Sequence, residues 1–136
     1  MADITITSSS VAAAGATDVA DCTAGATITA GQVVYLESSS NTVKLADADS
    51  ATAEVRSPYG IALNGGASGQ PIKVLRRGSV TIGATLTAGL AYYLSKTAGG
   101  ICPVADIASG GYATVLGIAT STSVLKVQIL ESGVAV

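Results

Sequence analysis

The chain has 136 residues, a formal net charge of −2 and no histidine, phenylalanine or tryptophan. Charged residues make up 12% of it and hydrophobic residues 49%. This length suits one domain, whose core has to be filled by Val, Ile, Leu, Ala and Tyr. Because β-branched and small aliphatic side chains fit a pleated, half-buried surface, the composition predicts an all-β fold.

The same composition argues against several classes of function. Without histidine, Ser-His-Asp and Cys-His catalysis are excluded within one chain. The only adjacent basic pair is Arg76-Arg77, too little for nucleic-acid binding, and its plain interpretation is a solvated strand end. No segment is long enough to span a bilayer or to act as a signal peptide, so we expect a protein made in a cytoplasm. Low charge beside high hydrophobic content indicates a surface partly covered by a partner.

The N-terminal segment, residues 1–24, lies outside the repeat described next. Ile4 and Ile6 alternate with polar residues and predict a short first strand. Residues 8–24 are rich in small residues, chiefly Ser and Ala, which predicts an extended arm or a loop. Two alternatives stay open for the strand: it is added to the sheet of a neighbouring subunit, or it belongs to its own subunit.

From residue 25 onward the chain is an internal repeat. Residues 25–31, GATITAG, recur 58 positions later as GATLTAG at 83–89. Three further blocks recur in the same order: 34–36 at 92–94, 59–62 at 116–119, and 72–74 at 125–127. The spacing falls to 57 and then 53 positions, which a longer loop at 64–70 would explain. The domain is therefore predicted to contain two tandem repeats, 25–82 and 83–136.

Each repeat predicts four short strands separated by turns. The predicted strands are 32–37, 42–46, 59–63 and 71–82 in the first repeat, and 91–95, 101–104, 113–119 and 124–130 in the second. Asn64-Gly65 is typical of a hairpin turn, because both residues tolerate positive φ. Two copies of a four-strand unit predict a small barrel or sandwich with pseudo-twofold symmetry.

Several residues have chemical potential but a plainer structural interpretation. Cys22 and Cys102 match no metal or redox spacing and are expected to be thiols rather than a disulfide. Asp47 and Asp49 lack the further ligands of a calcium loop and are interpreted as a solvated loop. The glycine-rich segment 65–69 has no following Lys-Ser/Thr and is interpreted as hairpin rather than phosphate loop.

Tyrosine and serine give two more such cases. Tyr35 and Tyr93 occupy matching positions, and we interpret them as core residues, with sugar stacking as the alternative. Ser95-Lys96 would point to opposite faces of a strand and is interpreted as a turn. We therefore predict no catalytic residue, no cofactor and no metal.

The repeat resembles a known family in several segments. They are 30–36, 43–48 and 59–63 in the first repeat, and 86–89, 92–94, 99–101 and 115–119 in the second. These turn-and-strand patterns are similar to those of the capsid cement or decoration proteins of tailed bacteriophages, and the similarity covers about residues 25–130. It implies a protein on the outside of the mature head, often a trimer, that locks capsomers together.

The expected function is therefore that of a non-enzymatic virion protein. It would bind the major capsid protein on the outside of a phage head and stabilise the capsid, as a homotrimer without nucleic-acid, membrane or small-molecule partners. The candidate intermolecular contacts are Ile4, Ile6, Arg76 and Arg77. A receptor-binding module of a tail fibre or tail tip is the alternative, and a hydrolase that uses only carboxylates is the third class.

Overall fold

The structure, a computed structural model, describes residues 3–104 and 111–135, except for the side chains of residues 16, 17 and 132–135. These residues form nine strands, a 3-10 turn at Ser8–Ser10 and no α-helix. The strands are β1 (Ala12–Thr23), β2 (Val33–Glu37), β3 (Thr42–Leu45), β4 (Gly60–Ala62), β5 (Pro71–Thr81), β6 (Ala91–Leu94), β7 (Ile101–Pro103), β8 (Tyr112–Ala119) and β9 (Val124–Ala135). They form one strongly curled antiparallel sheet, which confirms the all-β prediction.

Strands β2 to β9 coincide with the eight predicted segments. Their ends differ from the predicted ones by at most one residue, except that β9 continues to Ala135. The turns lie where the sequence requires unusual backbone angles. Gly31 and Gly89, which precede β2 and β6, have φ of 92° and 83°, and Gly99 between β6 and β7 has φ of 76°. Glycine populates this region without the steric cost that other residues meet.

The prediction for residues 8–24 was wrong. Most of this segment is β1, a twelve-residue strand that pairs along β5 from Thr23 to Ala12. Small side chains did not prevent this, because the pairing uses main-chain groups and needs no bulky side chain. The predicted strand at Ile4 and Ile6 is absent, since both residues precede the 3-10 turn in irregular backbone.

Strand β5 connects the sheet. One of its edges is paired with β1 from Pro71 to Thr81, with irregularities between Leu75 and Val80. The other edge is divided: β4 pairs as far as Leu75, and β9 pairs from Arg77 onward. The two sides of the sheet therefore meet on one strand and separate at Arg76.

Two groups of four strands extend from this junction in the same order. The first group runs β3-β2-β4-β5, and the second runs β7-β6-β8-β9. Their registers correspond as well. Tyr35 pairs with Lys44, and 58 positions later Tyr93 pairs with Cys102. Gly60 pairs with a residue of β2, and Gly117 pairs with the corresponding residue of β6.

The pairing corrects one detail of the predicted alignment. The sequence match of 72–74 with 125–127 implies that each residue of β5 corresponds to the residue 53 positions later in β9. The pairing gives an offset of 51: Ile61 pairs with Leu75, and its counterpart Ile118 pairs with Lys126. The correspondence of β5 and β9 in the sheet therefore differs by two residues from the one that the sequence match suggests. Because this difference is even, it leaves each side chain on the same face of the strand.

The core consists of two clusters, one on each face of the first group. The smaller cluster contains Val34, Val43 and Val74, closed by Ile28 from the preceding loop. The larger cluster lies on the opposite face and joins both groups of strands. Its main members are Val33, Tyr35, Ile61 and Leu75 from the first group, and Tyr92, Leu94, Ile101, Leu116 and Leu125 from the second.

The second group is consequently buried on one face only. Ile61 is 0% exposed, whereas Ile118 at the corresponding position is 51% exposed. Leu75 is fully buried, and its pairing counterpart Lys126 is exposed. The two groups therefore share strand order and register but not surroundings.

Backbone hydrogen bonds also link the two groups. The turn at Gly99 lies between the ends of β2 and β3, where its carbonyl accepts from Val33 N at 3.0 Å and its N–H donates to Ala46 O at 2.7 Å. Ala48 N donates to Ser95 O at 3.1 Å, and Tyr112 N donates to Ala48 O at 2.9 Å. These bonds satisfy main-chain groups at the edges of the sheet.

Two corresponding glycines are predicted to be essential to the fold. A Cβ at Gly60 would overlap the carbonyl oxygen of Leu75, and a Cβ at Gly117 would overlap that of Lys126. Because backbone cannot move aside as a flexible side chain can, we expect Gly60→Ala and Gly117→Ala each to lower the free energy of unfolding by about 3 kcal/mol. Urea denaturation measures this.

Gly69→Ala is the control. Gly69 has φ of 90° with no neighbour within 4 Å of an added Cβ, so only backbone strain of about 1 kcal/mol is expected. Equal losses at all three positions would contradict the overlap explanation.

Candidate interaction surfaces

Arg76 and Arg77 lie beside a cleft at the junction where β4 and β9 separate on β5. The cleft has a volume of about 580 Å³. Its walls are the β5 segment from Arg76 to Ser79, Pro58 and Tyr59 before β4, and residues 126–129 of β9. The predicted pair thus lies at the centre of the sheet rather than at a solvated strand end.

Arg76 is held in a defined position. Its guanidinium carbon lies 4.2 Å from the centroid of the Tyr59 ring, a cation–π arrangement. Its Nε is buried without a hydrogen-bond partner. An unsatisfied buried donor generally costs about 1–3 kcal/mol.

The positive charges of the cleft are compensated only in part, by Asp18 of β1, which pairs with Arg77. Arg76, Arg77 and Lys126 line it, and its described lining contains no carboxylate. Across the described residues, the ion pairs are Lys44–Glu37 at 2.9 Å and Lys73–Asp21, and neither involves these three residues.

The outer face of the second group carries four apolar side chains, here called the outer patch: the half-buried Tyr93 and Val115 and the exposed Ile118 and Leu130. Tyr93 pairs with Val115, and Val115 pairs with Leu130, so their side chains share a face. Ile118 and Leu130 are 51% and 68% exposed. The first group buries its corresponding face in the larger core cluster.

Ile4 and Ile6 contact their own chain. Both are half-buried and pack against the larger core cluster. Ile4 N donates to Ile101 O at 2.9 Å, and Thr7 N donates to Gly83 O at 2.8 Å. An added Cβ at Gly31 would meet the Ile6 side chain at 2.7 Å, so the segment lies closely over the start of β2. An intermolecular role for these residues stays a prediction.

The two matched tyrosines differ in their environment. Tyr35 is buried in the core, as expected, and this burial raises the pKa of its hydroxyl. Tyr93 is only half-buried and lies in the outer patch. Tyr92 next to it is the core tyrosine of the second group, and its hydroxyl accepts from Thr87 N at 2.9 Å.

Asp47 and Asp49 form a local turn. Asp49 N donates to Asp47 Oδ1 at 3.3 Å. Burial, followed by a side-chain hydrogen bond with Asp49, raises the pKa of Asp47 to about 6. Across 3–104 and 111–135, no three His, Cys, Asp or Glu side chains come together as a metal site would require.

The remaining sequence features have structural roles. Cys22 and Cys102 do not form a disulfide, and burial raises the pKa of the Cys22 thiol, with opposing effects from Asp21 and Arg76. Ser95 directly precedes the turn at 96–99. Its hydroxyl donates a hydrogen bond to Asp3 Oδ1, in the N-terminal segment, at 2.6 Å. The glycine-rich segment 65–69 lies in the β4–β5 hairpin loop, as predicted.

Sequence reasoning missed Tyr59, Lys126, Ile118 and Leu130 as surface components. Lys126 approaches Arg77 only because β9 pairs with β5, and no local pattern encodes that pairing. The exposure of Ile118 was hidden because the matching Ile61 is a core residue.

Comparison with protein-family models and with curated proteins finds no match to this chain. None of the described segments forms a helix of sufficient length and apolarity to cross a membrane.

Deleting residues 2–10 tests the role of the N-terminal segment while leaving β1 intact. Because Ile4 and Ile6 would no longer cover the core, about 2 kcal/mol of apolar burial would be lost. We expect the melting temperature of the isolated protein to fall by roughly 8 °C. Thr5→Ala, at an exposed position of the same segment, is the control and should not change it. An unchanged melting temperature combined with lost oligomerisation would instead identify the segment as an intermolecular clamp.

Proposed function

We propose that this protein is a non-enzymatic structural component of a virion that binds the outside of a tailed-phage head and stabilises the capsid. The observation that carries the proposal is the outer patch, an apolar sheet face that the described residues of the chain do not cover. The resemblance of the repeat to capsid cement proteins supplies the identity of the assembly.

The outer patch supports a role in association. Two of its four residues occupy positions whose counterparts are core residues: Ile118 corresponds to Ile61, and Tyr93 to Tyr35. Side chains as exposed as Ile118 and Leu130 are stabilised when a partner removes them from water. A specific interface would bury on the order of 1,200–2,000 Å² in total. The partners proposed are further copies of the chain, in a trimer, and the major capsid protein.

The fold is suited to a mechanical function. Main-chain pairing on both edges of β5 and a core shared by the two groups resist local opening. A protein that binds only the intact shell stabilises that shell through mass action, and this requires no catalytic group.

We further propose that the two groups of strands arose by tandem duplication and are related by an approximate twofold. Support comes from the common strand order and from the matching registers of Tyr35–Lys44 and Tyr93–Cys102. Their different burial means that the twofold holds for the backbone and not for the surroundings.

A receptor-binding module of a tail fibre remains the second candidate. Tyr93 favours it, because a half-buried tyrosine on an apolar face can stack against a sugar ring. Copy number separates the two, since a cement protein is present in hundreds of copies per particle and a fibre module in few.

A charge placed in the outer patch tests the proposal. Ile118→Glu would introduce a carboxylate into the interface, where desolvation opposes binding. We expect binding to purified phage heads to weaken by at least about tenfold, with a matching decrease in the oligomer measured by light scattering. Because Ile118 is half exposed, the fold should persist, and circular dichroism checks this.

Thr122→Glu adds the same charge at an exposed position of the β8–β9 turn, outside the patch. It should bind like the wild type. Equal binding by Ile118→Glu would contradict the proposal.

A further inference from the structure

The cleft at the β4–β9 junction is lined by three cations, and among them only Arg77 has an acidic residue opposite it in the sheet, Asp18 of β1. Three of the seven Lys and Arg residues of the chain line it, although the protein has a net charge of −2. Arg77 of β5 and Lys126 of β9 form no ion pair with a described residue. Lys73, also on β5, does: it is paired with Asp21. Like charges in one cleft repel each other unless an anion lies between them.

Arg76 contributes a guanidinium whose orientation is fixed. Stacking on Tyr59 fixes the plane of the guanidinium, and its buried Nε lacks an acceptor. A guanidinium fixed in this way presents a planar fork of donors that matches a carboxylate. Because it is already ordered, binding costs less side-chain entropy.

The remaining lining is suited to a short peptide segment. The volume of about 580 Å³ lies within the range of ligand-binding clefts. Ser79 and Gln128 contribute neutral polar groups beside the cations, and Val127 and Ile129 contribute apolar carbon. Lys126 also pairs with Ile118 of the outer patch, so the cleft and the patch adjoin.

The charge distribution favours a protein carboxylate over a nucleic acid. Binding to a polyanion depends on a row of basic residues that releases many counterions. Here three cations occupy one cleft and the whole chain is net acidic, so a long polyanion would meet repulsion beyond the cleft.

We infer that the cleft binds an acidic peptide segment of a partner protein, with its carboxylates held by the cations that line the cleft: Arg77 and Lys126 on one face of the sheet, and Arg76 beside Tyr59. This inference concerns the ligand of the cleft and does not depend on the identity of the assembly. It is tested on the isolated protein, so its failure is distinguishable from failure to bind phage heads.

The test measures binding of a fluorescein-labelled hexapeptide of alternating Gly and Glu by anisotropy, with amide chemical shifts locating the site. We expect saturable binding, with shifts confined to the residues around Arg76 and Gln128. The peptide with Gln in place of Glu should not bind. Arg77→Gln and Arg76→Lys should each weaken binding by about tenfold, the second because it keeps the charge but loses the planar fork.

Lys73→Gln is the matched control, since it removes one positive charge from β5 at an ion pair outside the cleft. It should leave the affinity unchanged. Equal weakening by Lys73→Gln, absence of saturable binding, or tighter binding of inorganic phosphate or of an oligothymidylate would each overturn the inference. If Arg76→Lys disturbs the fold, Arg77→Gln and Lys126→Gln, at exposed positions, decide the question.

Discussion

The structure depends on the pairing of β5, which has β1 along one edge and both β4 and β9 on the other. One strand therefore supplies the backbone partners of both four-strand groups. Where β4 and β9 separate, no strand continues the edge, and this opening forms the cleft at Arg76. The curl of the sheet brings one face of the first group onto the inner face of the second, so both groups share the larger core cluster. Residues 3–104 and 111–135, as far as they are described, provide no equivalent cover for the outer face of the second group.

The sequence predicted much of this arrangement for identifiable reasons. Strand ends were predictable because glycines in positive-φ turns, such as Gly31 and Gly89, recur at fixed positions beside apolar runs. The burial of two individual strands was also predictable from their sequence. Residues 33–36 read Val-Val-Tyr-Leu, a continuous apolar run typical of a strand buried on both faces. Residues 125–129 read Leu-Lys-Val-Gln-Ile, the alternation of a strand buried on one face.

Strand β1, the cleft and the exposure of Ile118 were not predicted, because they depend on contacts between residues distant in sequence. β1 escaped prediction because Ala and Gly give no apolar alternation, while its stability comes from main-chain bonds to β5. The cleft required knowledge that β9 pairs with β5 and that Tyr59 lies under Arg76. Of the predicted contacts, Arg76 and Arg77 lie together in the cleft, whereas Ile4 and Ile6 pack on the core. The repeat itself made Ile118 resemble a core residue, because identical local sequence carries no information about what covers each copy.

The central claim is that the two groups of strands form one cooperative unit joined at β5. Native-state amide hydrogen exchange measures this directly, since each amide reports the free energy of the opening that exposes it. The account predicts that amides of β5, β4 and β9 exchange most slowly and with a common free energy equal to that of global unfolding. If the amides of β2 and β4 instead exchanged through a separate, much lower-energy opening while β8 and β9 stayed protected, the shared-core account would be contradicted.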